Sequence, residues 1–313
     1  MKKVAFIFPG QGSQFVGMGK DLYDNFDCAK NIFEKFNEVT GKDIAKLCFE
    51  GPEDELKMTI NTQPCILATS IAALEVLNEK LNIKPEFVAG HSLGEYAALY
   101  NAKAVDLETV IKLVQRRAEL MNDAKSGAMS AILNLADDKL NEVIENCSKL
   151  GTISVANYNT PDQTVITGES VAVEEANKLC AEAGAKRVVP LAVSGAFHSP
   201  LMKEAADNFK NWIENFEVLD AVIPVITNTD GKITTDKDEF RNKMAEQIYS
   251  SVFWKQSVAL MVEQGIDTFI EIGPGKVLSG MVKKISRSAT VYNVQDIDSL
   301  NKVVTAINDL VQV

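Results

Sequence analysis

The sequence has few groups suited to metal or redox chemistry. It contains only two histidines, and its five cysteines, at positions 28, 48, 65, 147 and 180, form no CxxC pair and no cluster typical of metal ligands. An odd number of widely spaced cysteines is typical of free thiols in a reducing compartment. The sequence therefore predicts neither a disulfide framework nor a metal site.

An excess of positive charge and a long apolar run are also missing. The formal net charge is -11, which argues against nucleic acid as the main partner. The apolar run Val4–Phe8 begins like a signal peptide, but Pro9 and Gly10 interrupt it, and no segment approaches the roughly 20 apolar residues of a membrane span. We therefore expect a cytoplasmic protein with no membrane partner.

The 313 residues contain no internal repeat and no low-complexity tract, and 46% of them are hydrophobic, which allows a large core of one or two domains. Strands at Val4–Phe8 and Phe87–Gly90 alternate with predicted helices over 13–36, 62–81, 93–100 and 107–121. After residue 198 the pattern predicts strands near 223–227, 268–272 and 290–294, and helices from 201 and over 237–249, 255–264 and 277–285. This alternation predicts an α/β fold with a mainly parallel sheet covered on both faces.

The middle of the chain changes character. Strands are predicted over 128–135, 152–156, 163–167 and 186–193, with a turn over 157–162 and helices over 138–149 and 171–183. The order β-α-β-β-α-β is the signature of a ferredoxin-like unit. We therefore predict a small domain, residues 127–197, inserted into a larger domain formed by residues 1–126 and 198–313.

The most informative motif is Gly90-His91-Ser92-Leu93-Gly94, which follows a predicted strand and opens a predicted helix. Gly-x-Ser-x-Gly in this context is the nucleophile-elbow pattern, where glycines let strand and helix pack closely around a strained serine. The N–H after the serine and the helix N-terminus favour a developing oxyanion. The motif indicates acyl-serine chemistry; the alternative is a glycine-rich turn with a bystander serine.

A serine nucleophile needs a base, and histidine is the usual one near neutral pH. His91 adjoins Ser92, and adjacent side chains at a strand end point to opposite sides, so it is badly placed. His198 follows a predicted strand and could reach the same sheet edge; the alternative is a structural histidine that caps the next helix. No third-member carboxylate stands out among those that follow the elbow, and a backbone carbonyl could orient the imidazole instead. The carboxylates considered are Asp220, Asp230, Asp267 and Glu271.

Two further features bear on a binding site. The loop around Gln11 follows the first strand, a usual ligand side in α/β folds, and its glycines could turn N–H groups toward an anion, although a plain strand-helix turn fits equally. Arg117 shares a helix face with apolar side chains such as Leu113 and Met121. A buried arginine needs an anionic partner, which could be a structural Asp or Glu or a substrate carboxylate.

In combination these motifs resemble those of the malonyl-CoA:acyl carrier protein transacylases, the stand-alone acyltransferases of bacterial type II fatty acid synthesis. The resemblance runs in family order over nearly the whole chain, with one departure: Ser251 stands where relatives often have proline. The matching segments are Phe8-Pro9-Gly10-Gln11-Gly12-Ser13-Gln14, Gly90-His91-Ser92-Leu93-Gly94-Glu95-Tyr96, Arg117 with Met121, Gly127-Ala128-Met129, Val155-Ala156-Asn157-Tyr158-Asn159, Gly195-Ala196-Phe197-His198-Ser199, Gln247 ahead of Trp254, and Glu271-Ile272-Gly273-Pro274-Gly275.

The resemblance implies a role for each candidate residue. Ser92 is the acylated nucleophile and His198 its base, while the backbone N–H groups of Gln11 and Leu93 form the oxyanion hole. Arg117 holds the malonyl carboxylate. Two further residues complete the set: Gln247 orients His198 through its main-chain carbonyl, and Phe197 lines the acyl site and crowds a 2-methyl group.

The resemblance also implies an α/β-hydrolase-like core and a ping-pong transfer of malonyl from malonyl-CoA to holo-acyl carrier protein, a transient partner. No metal or other cofactor is expected. The alternatives are a serine thioesterase or hydrolase on the same elbow, a related polyketide-type trans-acyltransferase, and a non-enzymatic interaction module. A hydrolase of neutral acyl chains has no use for a buried Arg117, and an intact Ser92 with His198 argues against a module.

Overall fold

The computed structural model describes residues 3–124, 127–193 and 195–311. The predicted domain boundary at residue 126 lies outside these residues. The strands are β1 Val4–Phe8, β2 Phe87–Gly90, β3 Ala128–Leu133, β4 Ile153–Thr160, β5 Gln163–Gly168, β6 Arg187–Pro190, β7 Val225–Ile226, β8 Ile233–Thr234, β9 Thr268–Ile272 and β10 Thr290–Val294. The helices are α1 Lys20–Asn25, α2 Asp27–Thr40, α3 Ile44–Glu50, α4 Glu53–Lys57, α5 Thr59–Lys80, α6 Gly94–Asn101, α7 Leu107–Asp123, α8 Asp137–Cys147, α9 Ser170–Glu182, α10 Lys203–Ile213, α11 Lys237–Glu246, α12 Trp254–Glu263, α13 Val277–Ile285 and α14 Ile297–Val311, with a 3-10 turn at Pro200–Met202.

The larger sheet has six strands in the order β10-β9-β1-β2-β7-β8. Every neighbouring pair is parallel except β7 and β8, so the predicted α/β fold with a mainly parallel sheet is confirmed. β1, β2 and β9 run side by side in register, with Phe8 opposite Gly90 and Ile7 opposite Glu271. The carboxyl ends of these strands therefore meet at one sheet edge, and the loops that follow them lie together.

Helix α5 forms the centre of one helical layer and packs against α2, α3, α6 and α7. It is the one helix of the described residues that is long and apolar enough to cross a membrane, and 83% of its most apolar window is buried inside the protein. The expectation that no segment approaches membrane-span length is therefore wrong for this helix. A helix that is apolar on all sides is typical of a core position as well as of a membrane span, and α5 occupies a core position.

The second sheet is antiparallel, with four strands in the order β4-β5-β3-β6 and with α8 and α9 packed against it. Its elements follow the predicted chain order, strand-helix-strand-strand-helix-strand. Apolar side chains of the strands and both helices, among them Ile132, Leu140 and Ile166, form a separate core under this sheet.

Several predicted boundaries are wrong. The segment 13–36 is not one helix, because Gly17 and Gly19 adopt φ angles of 101° and 78°, and α1 begins only at Lys20. Residues 157–160 are not turn but the second half of β4, whose register shifts between Val155 and Asn157 and again between Tyr158 and Thr160. Backbone pairing with Val252 stabilises this extension, since Tyr158 N–H donates to its carbonyl at 2.9 Å. Helices α3, α4 and α14 and strand β8 were not predicted.

Candidate active site

The elbow forms where β2 ends and α6 begins. Ser92 has a φ of 50°, a left-handed conformation that non-glycine residues rarely adopt. A Cβ on Gly90 would lie 1.9 Å from the carbonyl carbon of Gly94, and one on Gly94 would lie 2.0 Å from the carbonyl oxygen of Phe8. Only glycine therefore fits at both positions, and the strained serine stands at the carboxyl edge of the sheet.

His198 faces the serine across this edge. Its Nε2 lies 2.8 Å from Ser92 Oγ, and its Nδ1–H donates to the main-chain carbonyl of Gln247, also at 2.8 Å. The bond at Nδ1 places the ring proton there and leaves Nε2 free to accept from the serine hydroxyl. Burial, and then the charge of Arg117, lowers the pKa of His198 to about 3, so the imidazole is neutral at ordinary pH.

His91 turns the other way. Its Nε2 lies 2.8 Å from Asn159 Oδ1, and its ring packs edge-on against Trp254. Burial lowers the pKa of His91 as well. The structure therefore pairs Ser92 with the histidine that is 106 positions away and not with its neighbour in sequence.

The four carboxylates that were candidates for the third member of a catalytic triad make their contacts away from His198. Asp230 pairs with Lys243, and Glu271 accepts from the N–H groups of Leu278 and Ser279 at the start of α13. Asp220 accepts from Lys237 N–H, and Asp267 from the Thr268 hydroxyl. The orienting contact to His198 comes from a backbone carbonyl at the end of α11.

Arg117 is 1% exposed and lies beside the nucleophile, in contrast to its half-exposed neighbour Arg116. One terminal nitrogen donates to Gln63 Oε1 at 2.6 Å; the other donates to Ser92 Oγ at 3.1 Å and to Gln247 Oε1 at 3.0 Å. Within the described ranges no carboxylate lies at ion-pair distance from this guanidinium, and its Nε has no partner. The hydrogen bonds of this buried cation thus go only to neutral groups. Burial lowers the pKa of Arg117, and the buried Glu95, which acts on it at longer range, opposes that shift.

A cavity of about 110 Å³ opens beside these groups. Its walls include apolar side chains: Met121, Met129, Leu191, Val193 and Phe197. Gln11 and Leu93 also line it, and neither of their amide N–H groups has an acceptor among the residues that the structure describes. Pockets for drug-sized ligands begin at about 300 Å³, so this cavity suits a short acyl group.

A metal site is not evident in the described part of the chain, where no group of three His, Cys, Asp or Glu side chains is arranged to hold an ion.

Sequence reasoning missed three buried polar residues of the site. Gln63, on α5, accepts a hydrogen bond from the Arg117 guanidinium. Asn228, which follows β7, accepts one from the Ser92 N–H in the elbow. Glu95, in the first turn of α6, accepts one from the Asn228 N–H at 2.6 Å. Burial raises the pKa of Glu95 to about 7. Asn228 had a usable signal, because it follows a predicted strand whose carboxyl end meets the ligand edge of a parallel sheet.

Comparison with known proteins finds relatives that match nearly the whole chain. The family model described as acyl transferase domain matches residues 5–311. The chain is 44% identical to the malonyl CoA-acyl carrier protein transacylase of Bacillus subtilis (strain 168), a match that covers 99% of this chain and 98% of the relative.

Solved structures resemble the chain over its length. An acyl carrier protein S-malonyltransferase from Vibrio cholerae superimposes with a TM-score of 0.94 at 41% identity, covering 96% of this chain and 100% of that one. A malonyl-transacylase solved in complex with its type II PKS acyl-carrier protein superimposes with a TM-score of 0.95 at 39% identity, covering 97% of this chain and 100% of that one.

Proposed function

The chain belongs to the acyl transferase domain family, and we propose that it carries malonyl from malonyl-CoA to the phosphopantetheine thiol of acyl carrier protein through an ester on Ser92. It is an acyltransferase, and the names of its relatives support both substrates and a place in fatty acid biosynthesis. The observation that carries the mechanism is Arg117, a buried cation without an acidic partner in the described ranges, 3.1 Å from the nucleophile.

The first half-reaction forms the acyl-enzyme. Ser92 Oγ attacks the thioester carbonyl carbon while its proton moves to His198 Nε2, which already lies 2.8 Å away. The oxyanion accepts hydrogen bonds from the N–H groups of Gln11 and Leu93. The C–S bond then breaks, and the CoA sulfur leaves as a thiol with the proton from His198.

The second half-reaction reverses these steps with a new thiol. The carrier-protein thiol gives its proton to His198 and attacks the malonyl-Ser92 carbonyl. The bond to Oγ breaks, and Ser92 regains its proton from His198. Ser92, His198 and the two substrates account for every proton and leaving group in both half-reactions. We therefore propose that no cofactor takes part.

Arg117 recognises the free carboxylate of malonyl. A guanidinium binds a carboxylate with two parallel hydrogen bonds, and a charge-assisted bond is strongest where water is excluded. The neutral oxygens of Gln63 and Gln247 hold the guanidinium without neutralising it. A thioesterase for neutral acyl groups would gain nothing from this charge.

The finer architecture remains our interpretation. We interpret residues 127–197 as a ferredoxin-like subdomain inserted into an α/β-hydrolase-like domain of residues 1–126 and 198–313. The strand order of the small sheet, second-third-first-fourth in chain order, supports the first part. We further propose that the protein acts in the cytoplasm, where five free thiols are stable, with neither a nucleic acid nor a membrane partner.

Intact-mass measurement tests the proposed function. Wild-type protein mixed with malonyl-CoA should gain the mass of one malonyl group and lose it on addition of holo-acyl carrier protein. Ser92→Ala should gain nothing. An adduct on Ser92→Ala would refute the assignment of the nucleophile, and an acyl-enzyme that water hydrolyses as fast as the carrier protein accepts it would indicate a thioesterase.

A further inference from the structure

The elbow is held by a side chain from another strand. Asn228 is fully buried, and its side chain spans the turn: Oδ1 accepts from the Ser92 N–H at 2.7 Å, and Nδ2 donates to the Gly90 carbonyl at 2.7 Å. These bonds fix the peptides on both sides of His91, and the second of them leads directly into Ser92, the residue of this turn with a left-handed φ of 50°. Strain of this kind persists only where the surroundings over-determine it.

The next peptide is fixed from the other side. Gln247 Nε2 donates to the Ser92 carbonyl at 3.0 Å and lies 3.3 Å from Asn228 Oδ1. In a trans peptide the N–H points opposite to the C=O, so a carbonyl turned toward Gln247 turns the Leu93 N–H away from it. The Ser92 N–H is already bonded to Asn228, which leaves the Leu93 N–H as the amide of this turn that is free for an oxyanion.

Asn228 itself is anchored through its backbone. Its N–H donates to Glu95 Oε2 at 2.6 Å, and its carbonyl accepts from the Phe253 N–H at 2.9 Å. Glu95 is 1% exposed and sits in the first turn of α6, three residues after the nucleophile. Burial of a carboxylate costs free energy, and its hydrogen bond to a backbone amide offsets only part of that cost. This cost indicates that the position of Asn228 matters for more than the stability of the turn.

We infer that Asn228 is a positioning residue of this reaction: it sets the nucleophile and selects the Leu93 N–H for the oxyanion, and Glu95 holds Asn228 in place. This inference rests on the proposed acyl transfer at Ser92. It concerns the chemical step, since Asn228 acts through the elbow and lies outside the wall of the acyl cavity. Loss of the side chain should therefore slow acylation and leave the affinity for malonyl-CoA nearly unchanged.

Single-turnover acylation tests the inference. Rapid mixing of Asn228→Ala with saturating malonyl-CoA should form malonyl-Ser92 on the order of a hundredfold more slowly than wild type, since small misplacements of a reacting group cost about this much. The malonyl-CoA concentration that gives half the maximal rate should stay near the wild-type value. Thr227→Val is the matched control: Thr227 is equally buried and adjacent, but its hydroxyl bonds Asp230 and not the elbow.

The outcomes separate the alternatives. The inference would be overturned if Asn228→Ala is acylated at the wild-type rate and differs from wild type only in a lower melting temperature that Thr227→Val shows as well. If wild-type protein forms no malonyl-Ser92, the proposed function fails; if it does and the variant is equally fast, only this inference fails.

Variants of Glu95 decide the point should Asn228→Ala not fold. Glu95→Gln keeps an oxygen that can accept from the Asn228 N–H, whereas Glu95→Ala does not. Acylation should be slower in Glu95→Ala than in Glu95→Gln, at similar half-saturating concentrations. Equal rates in the two variants, or a wild-type rate in Glu95→Ala, would overturn the role of Glu95.

Discussion

Replacement of Arg117 by alanine should change which acyl group the enzyme accepts. In wild type the guanidinium is buried, contacts Ser92 Oγ and has no carboxylate at ion-pair distance within the described ranges, so the malonyl carboxylate would be its direct counter-ion. Loss of one partner of a buried ion pair costs about 3–5 kcal/mol, and each 1.4 kcal/mol corresponds to a factor of about 10. Transfer of malonyl should fall by roughly a hundredfold to a few thousandfold.

Acetyl carries no carboxylate and should respond differently. In Arg117→Ala its methyl group meets a less polar pocket and no ionic contact is lost, so acetyl transfer or acetyl-thioester hydrolysis should be retained or increased. The measurement is kcat/KM for malonyl-CoA and acetyl-CoA together with the melting temperature. Because the charge of Arg117 helps to lower the pKa of His198, its removal raises that pKa, and the assays belong near pH 8, where the imidazole is neutral in both enzymes.

Arg116→Ala provides the control from the adjacent position. Arg116 is partly exposed and pairs with Glu119 at 3.1 Å on the surface, where such pairs contribute about 0–1 kcal/mol. The ratio of malonyl to acetyl activity should stay at its wild-type value. If Arg117→Ala instead lowers both activities in parallel with the melting temperature, Arg117 serves only to hold its helix, and the reasoning is refuted.

Three other predictions concern His198 and Phe197. Because protonated His198 cannot act as base and its pKa in the free enzyme is about 3, kcat/KM of the Glu95→Gln variant, which lacks the carboxyl whose pKa is about 7, should stay flat from pH 8 down to about 5, and a fall centred on the ordinary histidine pKa would contradict this. His198→Ala should lose acylation by several orders of magnitude and His91→Ala far less; equal losses would show that the base is misassigned. Malonyl-CoA should be preferred to methylmalonyl-CoA by about 10–200-fold, because Phe197 lines the acyl cavity, and Phe197→Ala should narrow the preference; comparable turnover of both esters by wild type would refute this.

The fold was predictable where local pattern and packing agree. The bounds of β9, α13 and β10 follow from short apolar runs and helical spacing bounded by turn residues, and the structure has them at the predicted residues. Helix α14, which was not predicted, does have a signal in the sequence, since Leu300, Val303 and Ile307 recur at helical spacing and are buried. Helices α3 and α4 are only 7 and 5 residues long, too short for a period to show.

Prediction failed where distant contacts override local preference. Asn157, Asn159 and Thr160 are typical of turns, yet they lie in β4, because the backbone around Asn157 pairs with Val252 from another part of the chain. The glycines before α1 show a local cause of failure. Apolar spacing alone predicts that the helix begins at residue 13, but the positive φ angles of Gly17 and Gly19 delay its start to Lys20.

The sequence by itself determined the elbow. Gly90 is required by a contact within the motif, because a Cβ there would meet the backbone of Gly94, and a strand before the motif and a helix after it are local properties that composition reveals. Gly94 is required by the approach of Phe8 from β1, so its physical reason lies in the sheet although the motif shows it in the sequence. The scarcity of histidine also left His198 as the candidate base, and the face of α7 indicated that Arg117 is buried.

Only the tertiary structure decided how these groups meet. Ser92, Arg117, His198, Gln247 and Asn228 come from five separate segments, and the bonds among them span up to 155 positions of the chain. The register of parallel strands and the packing of α5, α7 and α11 set those distances, and no local pattern encodes them. For the same reason the amide oxygens around Arg117 and the anchoring of the elbow by Asn228 became visible only once the sheet edge was assembled.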